Sequence, residues 1–320
     1  MVLVSVIMGS YNHERYIAEA IESVLNQTFG DLELIIVDDY STDHSREIIE
    51  NYQLRDKRVR ASFHQKNLGI AKTTNEGLKQ ARGEFISFIG SDDVWYLHKL
   101  DEQVALAKTH EGKILWSEGE IIDSNGAPNG KMFTEMHLAT HKKKTGNIFQ
   151  EILDENFIFG QSLLVKRDYV NGLEFDSTLK YLNDYRFMAD LASKHEFFFT
   201  FEPLAKYRIH GENTISKDQS AWFKDRVVLF TYFLQKYGDN IPRNLKGTLY
   251  LKIGGAYTDL GRKDLAKYFY VKAILNDSFS KHSILDFICA FTNTRGKLGK
   301  FLLGLYFRLN SLLLQREMRS

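Results

Sequence analysis

The chain has 320 residues, 43% hydrophobic and 26% charged, the composition of a folded globular protein with material for one large core and an additional module. Its 42 Lys and Arg nearly balance 41 Asp and Glu, so a formal charge of +1 supplies no global basic field of the kind that gathers nucleic acid. A single cysteine, Cys289, excludes an intrachain disulfide and a cysteine-based zinc site, and fits a reducing, cytoplasmic setting. The first residues enter a strand-like run with no basic segment, long apolar stretch or small-residue cleavage site, so no secretory signal is expected. No run of about 20 uncharged apolar residues offers a membrane span.

From Val2 to about Gly119 short β-branched runs alternate with helical patterns, which predicts βαβ units around a mainly parallel sheet. Residues 2–8 read as a buried strand and 16–26 as a helix with Ile17, Ala20, Ile21 and Val24 on one face. Residues 32–37 form the second strand. The turn Asp38-Asp39-Tyr40-Ser41-Thr42-Asp43 then caps a helix, because short polar side chains accept hydrogen bonds from the free N–H groups of a first turn. Residues 59–64, 70–80 and 85–89 are expected as strand, helix and strand. Ligands of such sheets bind beyond the carboxyl ends of the strands, where the acidic pairs Asp38-Asp39 and Asp92-Asp93 lie.

Between residues 120 and 145 the pattern loosens into Asp123-Ser124-Asn125-Gly126-Ala127-Pro128-Asn129-Gly130 and the basic run His141-Lys142-Lys143-Lys144, which predicts a loop. A helix is expected at 148–153, a strand at 162–165, a helix at 184–193, and short strands at 197–201 and 205–209. Beyond Ser220 the helical period dominates. Residues 251–276, with Gly255-Ala256-Tyr257, Leu260-Gly261, Ala266 and Ala273, look like one helix pair of the tetratricopeptide kind, which needs a neighbour to bury its face. In the last segment Phe301, Leu302, Leu305, Leu309, Leu312 and Leu313 follow a helical period, while Arg295, Lys297, Lys300, Arg308, Arg316 and Arg319 outweigh Glu317. Such a basic amphipathic tail, residues 295–319, suits either an anionic membrane surface, as a peripheral contact, or the face of a neighbouring helix.

Val4-Ser5-Val6-Ile7-Met8-Gly9-Ser10-Tyr11-Asn12, Ile21-Glu22-Ser23-Val24-Leu25-Asn26-Gln27-Thr28 and Glu33-Leu34-Ile35-Ile36-Val37 with its acidic turn come first. Asn67-Leu68-Gly69, Asn75, Ala81-Arg82-Gly83-Glu84-Phe85-Ile86, Ser91-Asp92-Asp93, Asn183-Asp184 and Tyr207-Arg208-Ile209-His210 follow in order. Together they resemble the motifs of family 2 glycosyltransferases over roughly residues 2–215. The resemblance implies a GT-A-like α/β fold, a Rossmann-related, mainly parallel sheet flanked by helices. A catalytic domain would occupy 1–215, with a nucleotide-sugar half at about 1–119 and an acceptor half at about 120–215, and a helical region 216–320. It further implies metal-dependent, inverting transfer of a sugar from a UDP-sugar to an acceptor hydroxyl, in synthesis of a bacterial surface polysaccharide such as O-antigen or capsule. The acceptor would be a saccharide, which the basic tail would suit if it were carried on lipid at the cytoplasmic face of the inner membrane.

A nucleotide-diphosphate sugar presents a base, a ribose and two phosphates whose charge needs a counter-cation, and the resemblance distributes these tasks. Asp39 accepts from the imide N–H of uracil, which points to UDP before GDP; Gly9 and Tyr11 belong to the same nucleotide-sugar site. Asp92 holds the ribose or a metal-bound water, and Asp93 binds a divalent ion on the diphosphate, Mn²⁺ or Mg²⁺. That ion stabilises the UDP leaving group as a Lewis acid. His210 coordinates the same ion and suits Mn²⁺ better than Mg²⁺. Arg208 contacts the diphosphate, and Lys72 supplies the cationic contact that relatives draw from an arginine at the position of Thr74. Asp184 is the general base. Asn183 stands where relatives carry Glu, a departure that bears on acceptor binding. Gly160 lets the acceptor loop approach the sugar or forms a plain turn.

Structural roles compete with each assignment. Asp38 and Asp184 are suited to helix capping, Ser91-Asp92-Asp93 to a solvated turn, and His210 to a hydrogen-bonded loop. A nucleotidyltransferase-like enzyme would bring a glycine-rich basic loop after the first strand, in which Gly9-Ser10-Tyr11-Asn12-His13 is poor. Neither the P-loop nor the Rossmann glycine fingerprint is present. A catalytically inactive scaffold would have no need of Asp39, Asp93, Asp184 and His210 together.

Overall fold

The computed structural model describes residues 3–211 and 218–276. The chain divides into two compact units, Met1–Ser216 and Lys217–Ser320. The first unit opens with β1 (Val4–Ser10), α1 (Ile17–Leu25), β2 (Leu32–Asp38), α2 (Ser45–Arg55), β3 (Val59–Phe63), α3 (Ile70–Gln80) and β4 (Phe85–Gly90). These strands run parallel in the order β3-β2-β1-β4, and β8 (Val165–Lys166) adds an antiparallel edge to β4. Both faces of β1 and β2 are covered, which is why their sequences are near-continuous apolar runs. α1 buries Ile17, Ala20, Ile21 and Val24 in that core, as its periodicity predicts. Because β2 and β3 lie to one side of β1 and β4 to the other, the winding reverses between β1 and β4. A crevice therefore opens beyond Ser10 and Gly90, the place where sheets of this kind hold ligands.

A second sheet has the order β5-β9-β6-β7, built from β5 (Val94–Trp95), β6 (Lys113–Ile122), β7 (Pro128–Met132) and β9 (Glu196–Arg208). The parallel pair β6–β9 runs from Lys113↔Glu196 to Ile122↔Arg208 and delivers the end of β9 to the crevice. Between β5 and β6 lies α4 (Lys99–Thr109), whose buried face mixes Leu100 and Val104 with Lys99 and Gln103 and so lacks a clean apolar stripe.

Three sequence expectations are corrected here. The segment expected as loop at 120–145 contains the β6–β7 hairpin, paired Ile122↔Pro128 and Glu120↔Met132, and α5 (Phe133–Met136). β7 is exposed along most of its length, so no apolar alternation marks it. The basic run is tied down as well, Lys142 to Asp154 and Lys143 to Glu118, at 2.8 and 2.6 Å. β9 is one strand of 13 residues rather than two, because Pro203 disturbs the pattern without ending the strand. The strand expected at 162–165 is a 3₁₀ turn at Gly160–Ser162, a single antiparallel bridge from Leu164 to Leu115 and a two-residue strand at Val165–Lys166.

Further along, α6 (Phe149–Asp154), α7 (Arg167–Val170) and α8 (Asn183–Ala192) complete the first unit. In the second unit α9 (Gln219–Tyr237) is capped by the Asp218 carboxylate, which accepts from the Ala221 N–H at 3.0 Å. α10 (Arg243–Asp259) and α11 (Lys263–Leu275) form the expected helix pair, with α10 starting earlier than the repeat pattern indicates. They close against each other at Gly254, where a Cβ would come within 2.8 Å of the Tyr270 ring. No helix among the described residues is long and apolar enough to cross a membrane. The basic amphipathic tail expected at 295–319 lies outside the described residues.

Candidate functional site

At the exit of β1 the chain is stapled to the exit of β2. Asn12, in the left-handed region at φ +53°, donates its N–H to Ser41 Oγ at 2.9 Å and accepts from the Thr42 N–H at 2.7 Å through its side chain. Asp38 is spent inside this turn on the Ser41 N–H and hydroxyl. Asp39 faces the other way. Its carboxylate accepts from the Leu68 and Gly69 N–H groups at 2.7 and 2.8 Å and lies 2.8 Å from His64 Nδ1, whose Nε2 is 2.9 Å from Glu76. Burial alone would push the His64 imidazole down, but the two carboxylates at its nitrogens offset this and raise it. A carboxylate offers about four lone-pair directions, so Oδ2 of Asp39, with Gly69 as its partner, retains one. Tyr40 beside Asp39 in the chain, Leu68, whose N–H that carboxylate holds, Ile70 at the start of α3 and Tyr11 just after β1 are exposed. Gly9 sits behind this region: a Cβ there would come 2.7 Å from Ile70 Cδ1, so glycine lets the tip of this half-exposed side chain lie close over β1. Lys72 is on the exposed side of α3.

The two carboxylates after β4 diverge. A side chain at Gly90 would meet Asp92 Oδ1 and Asp93 Oδ2, each at 2.8 Å, so glycine is what lets both pack over the strand end. Asp93 turns inward, where its oxygens accept from Gln161 Nε2 at 2.8 Å and the Arg208 N–H at 2.9 Å. Burial, with the Asp92 charge beside it, pushes its carboxyl well above the ordinary range. Asp92 turns toward two imidazoles, its Oδ2 lying 3.0 Å from His210 Nε2 and 3.9 Å from His13 Nε2. Burial opposes its charge, but the hydrogen bond from His210 and the field of His13 outweigh it and hold its carboxyl below the ordinary value. Ser91 Oγ lies 2.8 Å from His13 Nδ1 and leaves Nε2 facing Asp92, the arrangement that orients a ligating imidazole.

One ligand atom from each of His13, Asp92 and His210 lies within 4.8 Å of the other two. An octahedral ion with ligands at about 2.1 Å places neighbouring ligand atoms about 3 Å apart, so a small inward movement of His13 would complete one face. Asp93, expected as a metal ligand, stands outside this group and instead ties Gln161 to the end of β9. His13 was not among the expected residues, since nothing in Tyr11-Asn12-His13 relates it by spacing to Asp92 or His210.

Arg208, expected on the diphosphate, is 1% exposed and committed elsewhere. Its guanidinium donates to the Asp92 carbonyl at 2.8 Å, to the Asp123 carbonyl at 3.4 Å and to Glu19 Oε2 at 2.6 Å, and it lies over the Tyr16 ring. It braces the loop that carries Asp92.

Asp184 is in the first turn of α8, an element fixed to the sheet by Phe187, which stacks on Phe175 at 4.1 Å and meets Phe88. Asn75 holds that Phe175 through both backbone groups, each at 2.8 Å, which gives the isolated Asn75 of the sequence a structural task. Asp184 is exposed at the start of α8, and the protein crowding its carboxyl removes part of its hydration. That desolvation raises the carboxyl to about 6, while the Tyr185 N–H at 2.7 Å pulls the other way. Burial raises the half-buried Tyr207 phenol, and the charges of Asp93, Asp92 and Asp184 add to the effect, so all three carboxylates border one region.

The sequence profile described as Glycosyl transferase family 2 matches residues 5–172. An uncharacterized glycosyltransferase of Methanocaldococcus jannaschii is 31% identical over 239 residues, 73% of this chain and 80% of its own. The Escherichia coli UDP-Glc:α-D-GlcNAc-diphosphoundecaprenol β-1,3-glucosyltransferase WfgD is 33% identical over 172 residues, 52% of this chain and 67% of its own. Among solved structures, S. aureus TarS 1–349 in complex with UDP-GlcNAc superposes with a TM-score of 0.69 at 21% identity, over 91% of this chain and 87% of its own. The last likeness is one of fold, and it establishes the GT-A architecture expected from the motifs.

Proposed function

The chain belongs to glycosyl transferase family 2, and from that premise we propose that this glycosyltransferase moves a sugar from a UDP-sugar to an acceptor hydroxyl with inversion at the anomeric carbon, using a divalent ion. The observation that carries this reading is the His13, Asp92 and His210 group at the crevice between β1 and β4, with Asp39 following the neighbouring β2 and Asp184 near enough to act on the Tyr207 phenol together with Asp92 and Asp93.

Asp39 binds the uracil imide N–H through the remaining lone pair of Oδ2, beside the exposed side chains of Tyr40 and Leu68. His13, Asp92 and His210 would hold the ion, and two imidazoles beside one carboxylate suit Mn²⁺ better than Mg²⁺. Bound there, it would supply Lewis-acid stabilisation of the departing diphosphate. Asp93 and Arg208 keep the Asp92 loop in place, Arg208 from beneath rather than by touching phosphate. Asp184, with its raised proton affinity, removes the acceptor proton as the hydroxyl attacks from the side opposite UDP.

The E. coli relative is named for a diphosphoundecaprenol-linked acceptor, which supports a lipid-linked saccharide acceptor here and a role in bacterial polysaccharide synthesis. The basic run of residues 295–319 would then bring the enzyme to the cytoplasmic face of the inner membrane. A thermal-shift panel of UDP, GDP and dTDP sugars with Mn²⁺ tests the donor assignment, since a ligand stabilises the state that binds it. UDP sugars are expected to give the largest shift, and a panel led by GDP sugars would overturn the reading.

A further inference from the structure

Tyr40 adopts φ +69°, a left-handed backbone in which the Cβ of an L-residue crowds the following carbonyl. Asn12 does so too, but asparagine tolerates this region and its side chain hydrogen-bonds locally. Tyr40 has no such compensation. The turn leaves it no alternative, because Asp38 fixes Ser41 on one side, while on the other the Asp39 N–H donates to the Ser10 carbonyl at 2.8 Å and the Asp39 carboxylate holds Leu68 and Gly69. The side chain is 50% exposed, and among the described residues it makes no ring, cation–π or hydrogen-bond contact. A large aromatic residue is thus kept in a disfavoured conformation, next in sequence to a buried carboxylate with an open lone pair, and it belongs neither to the hydrophobic core around β1 and β2 nor to the side chains packed against that core. Non-glycine residues held in this way concentrate where a ligand is bound.

We propose that Tyr40 is a donor-binding residue, its ring lying against the planar nucleobase that Asp39 addresses by hydrogen bond. Tyr11, at the exit of the neighbouring strand, and Leu68 and Ile70, at and beside the N–H groups that Asp39 holds, are exposed as well. The proposal rests on the UDP-sugar reading and adds to it a stacking contact that does not discriminate by hydrogen bond. It therefore governs how tightly the nucleotide is held, while Asp39 governs which base is held.

Titration calorimetry of UDP with Mn²⁺ on the full chain, alongside thermal melts without ligand, tests it. Aromatic stacking on a base is strong enough that Tyr40→Asn and Tyr40→Gly are expected to weaken UDP binding on the order of ten-fold, with Tyr40→Phe close to wild type. Both ring-less variants suit the left-handed backbone, so their melting temperatures without ligand are expected to equal or exceed that of wild type. Unchanged UDP affinity in both, with wild-type binding intact and sensitive to Asp39→Asn, overturns the role of Tyr40 and leaves the donor reading standing. A lowered melting temperature in both assigns Tyr40 to the fold and overturns the proposal as well. Failure of the wild type to bind UDP at all removes both.

Discussion

His210 Nε2 lies 3.0 Å from Asp92 Oδ2 across 118 residues of chain, and this contact joins the end of β9 in the second sheet to the loop that leaves β4 in the first. His13, from the exit of β1, meets the same carboxylate. If this is the metal site, His13→Ala and His210→Ala should each weaken Mn²⁺ binding by about ten-fold or more, and Asp92→Ala should abolish it, as read by paramagnetic resonance of free Mn²⁺. Asp93→Ala should behave differently, because it strips buried acceptors from Gln161 and Arg208 and leaves donors unpaired, at about 1–3 kcal/mol each. Its melting temperature should fall. Normal stability with Mn²⁺ binding lost, together with an unaffected His13→Ala, would return the ligand role to Asp93.

If Asp184 is the general base, it carries the pH dependence. It would then have to be ionised, so log kcat/KM should rise with unit slope up to about pH 6 and then level. Asp184→Asn should lose about 10²–10⁴ in kcat and the acid limb with it. Stability should move the other way. The folded state holds the Asp184 proton up to about pH 6, whereas an ordinary carboxylate releases it near 3.8, so wild-type stability declines with rising pH across that interval. Asparagine does not titrate. The melting temperature of Asp184→Asn relative to wild type should therefore climb between these values and stay level above them, by an amount that solvent contact keeps modest. A constant difference across the range would remove the desolvated carboxyl from the account.

Arg208 separates bracing from substrate contact. Arg208→Ala deletes its bonds to the Asp92 and Asp123 carbonyls and its packing over Tyr16, for an expected loss of about 2–4 kcal/mol by urea unfolding. Glu19→Gln should cost much less, since that carboxylate is half exposed and rehydrates. A stable Arg208→Ala protein with selectively lost UDP affinity would contradict this division and restore Arg208 to the diphosphate.

Much of the first sheet was legible because β1 and β2 are short, near-continuous apolar runs and α1 has a helical period, and the carboxyl-edge rule located both acidic pairs. What escaped has physical reasons. β7 is an exposed strand of Pro, Asn, Gly and Lys with no face to bury, and α4 spends its inner face on Lys99 and Gln103, which satisfy Ser87 Oγ and the Ser162 carbonyl inside the core. At the site, motif order brought Asp92, Asp93, Arg208 and His210 together, but only side-chain direction separates a carboxylate that faces imidazoles from one that faces a backbone N–H. His13 and Gln161 join the site through the third dimension alone.

The most direct measurement is proton NMR of the sugar first released when an α-linked UDP-sugar is incubated with the enzyme, in Mn²⁺ and in excess chelator, before mutarotation. The account predicts the β anomer at early times in Mn²⁺ and no release under chelation, with release lost in Asp92→Ala. Early appearance of the α anomer, or release that continues in chelator, would contradict it.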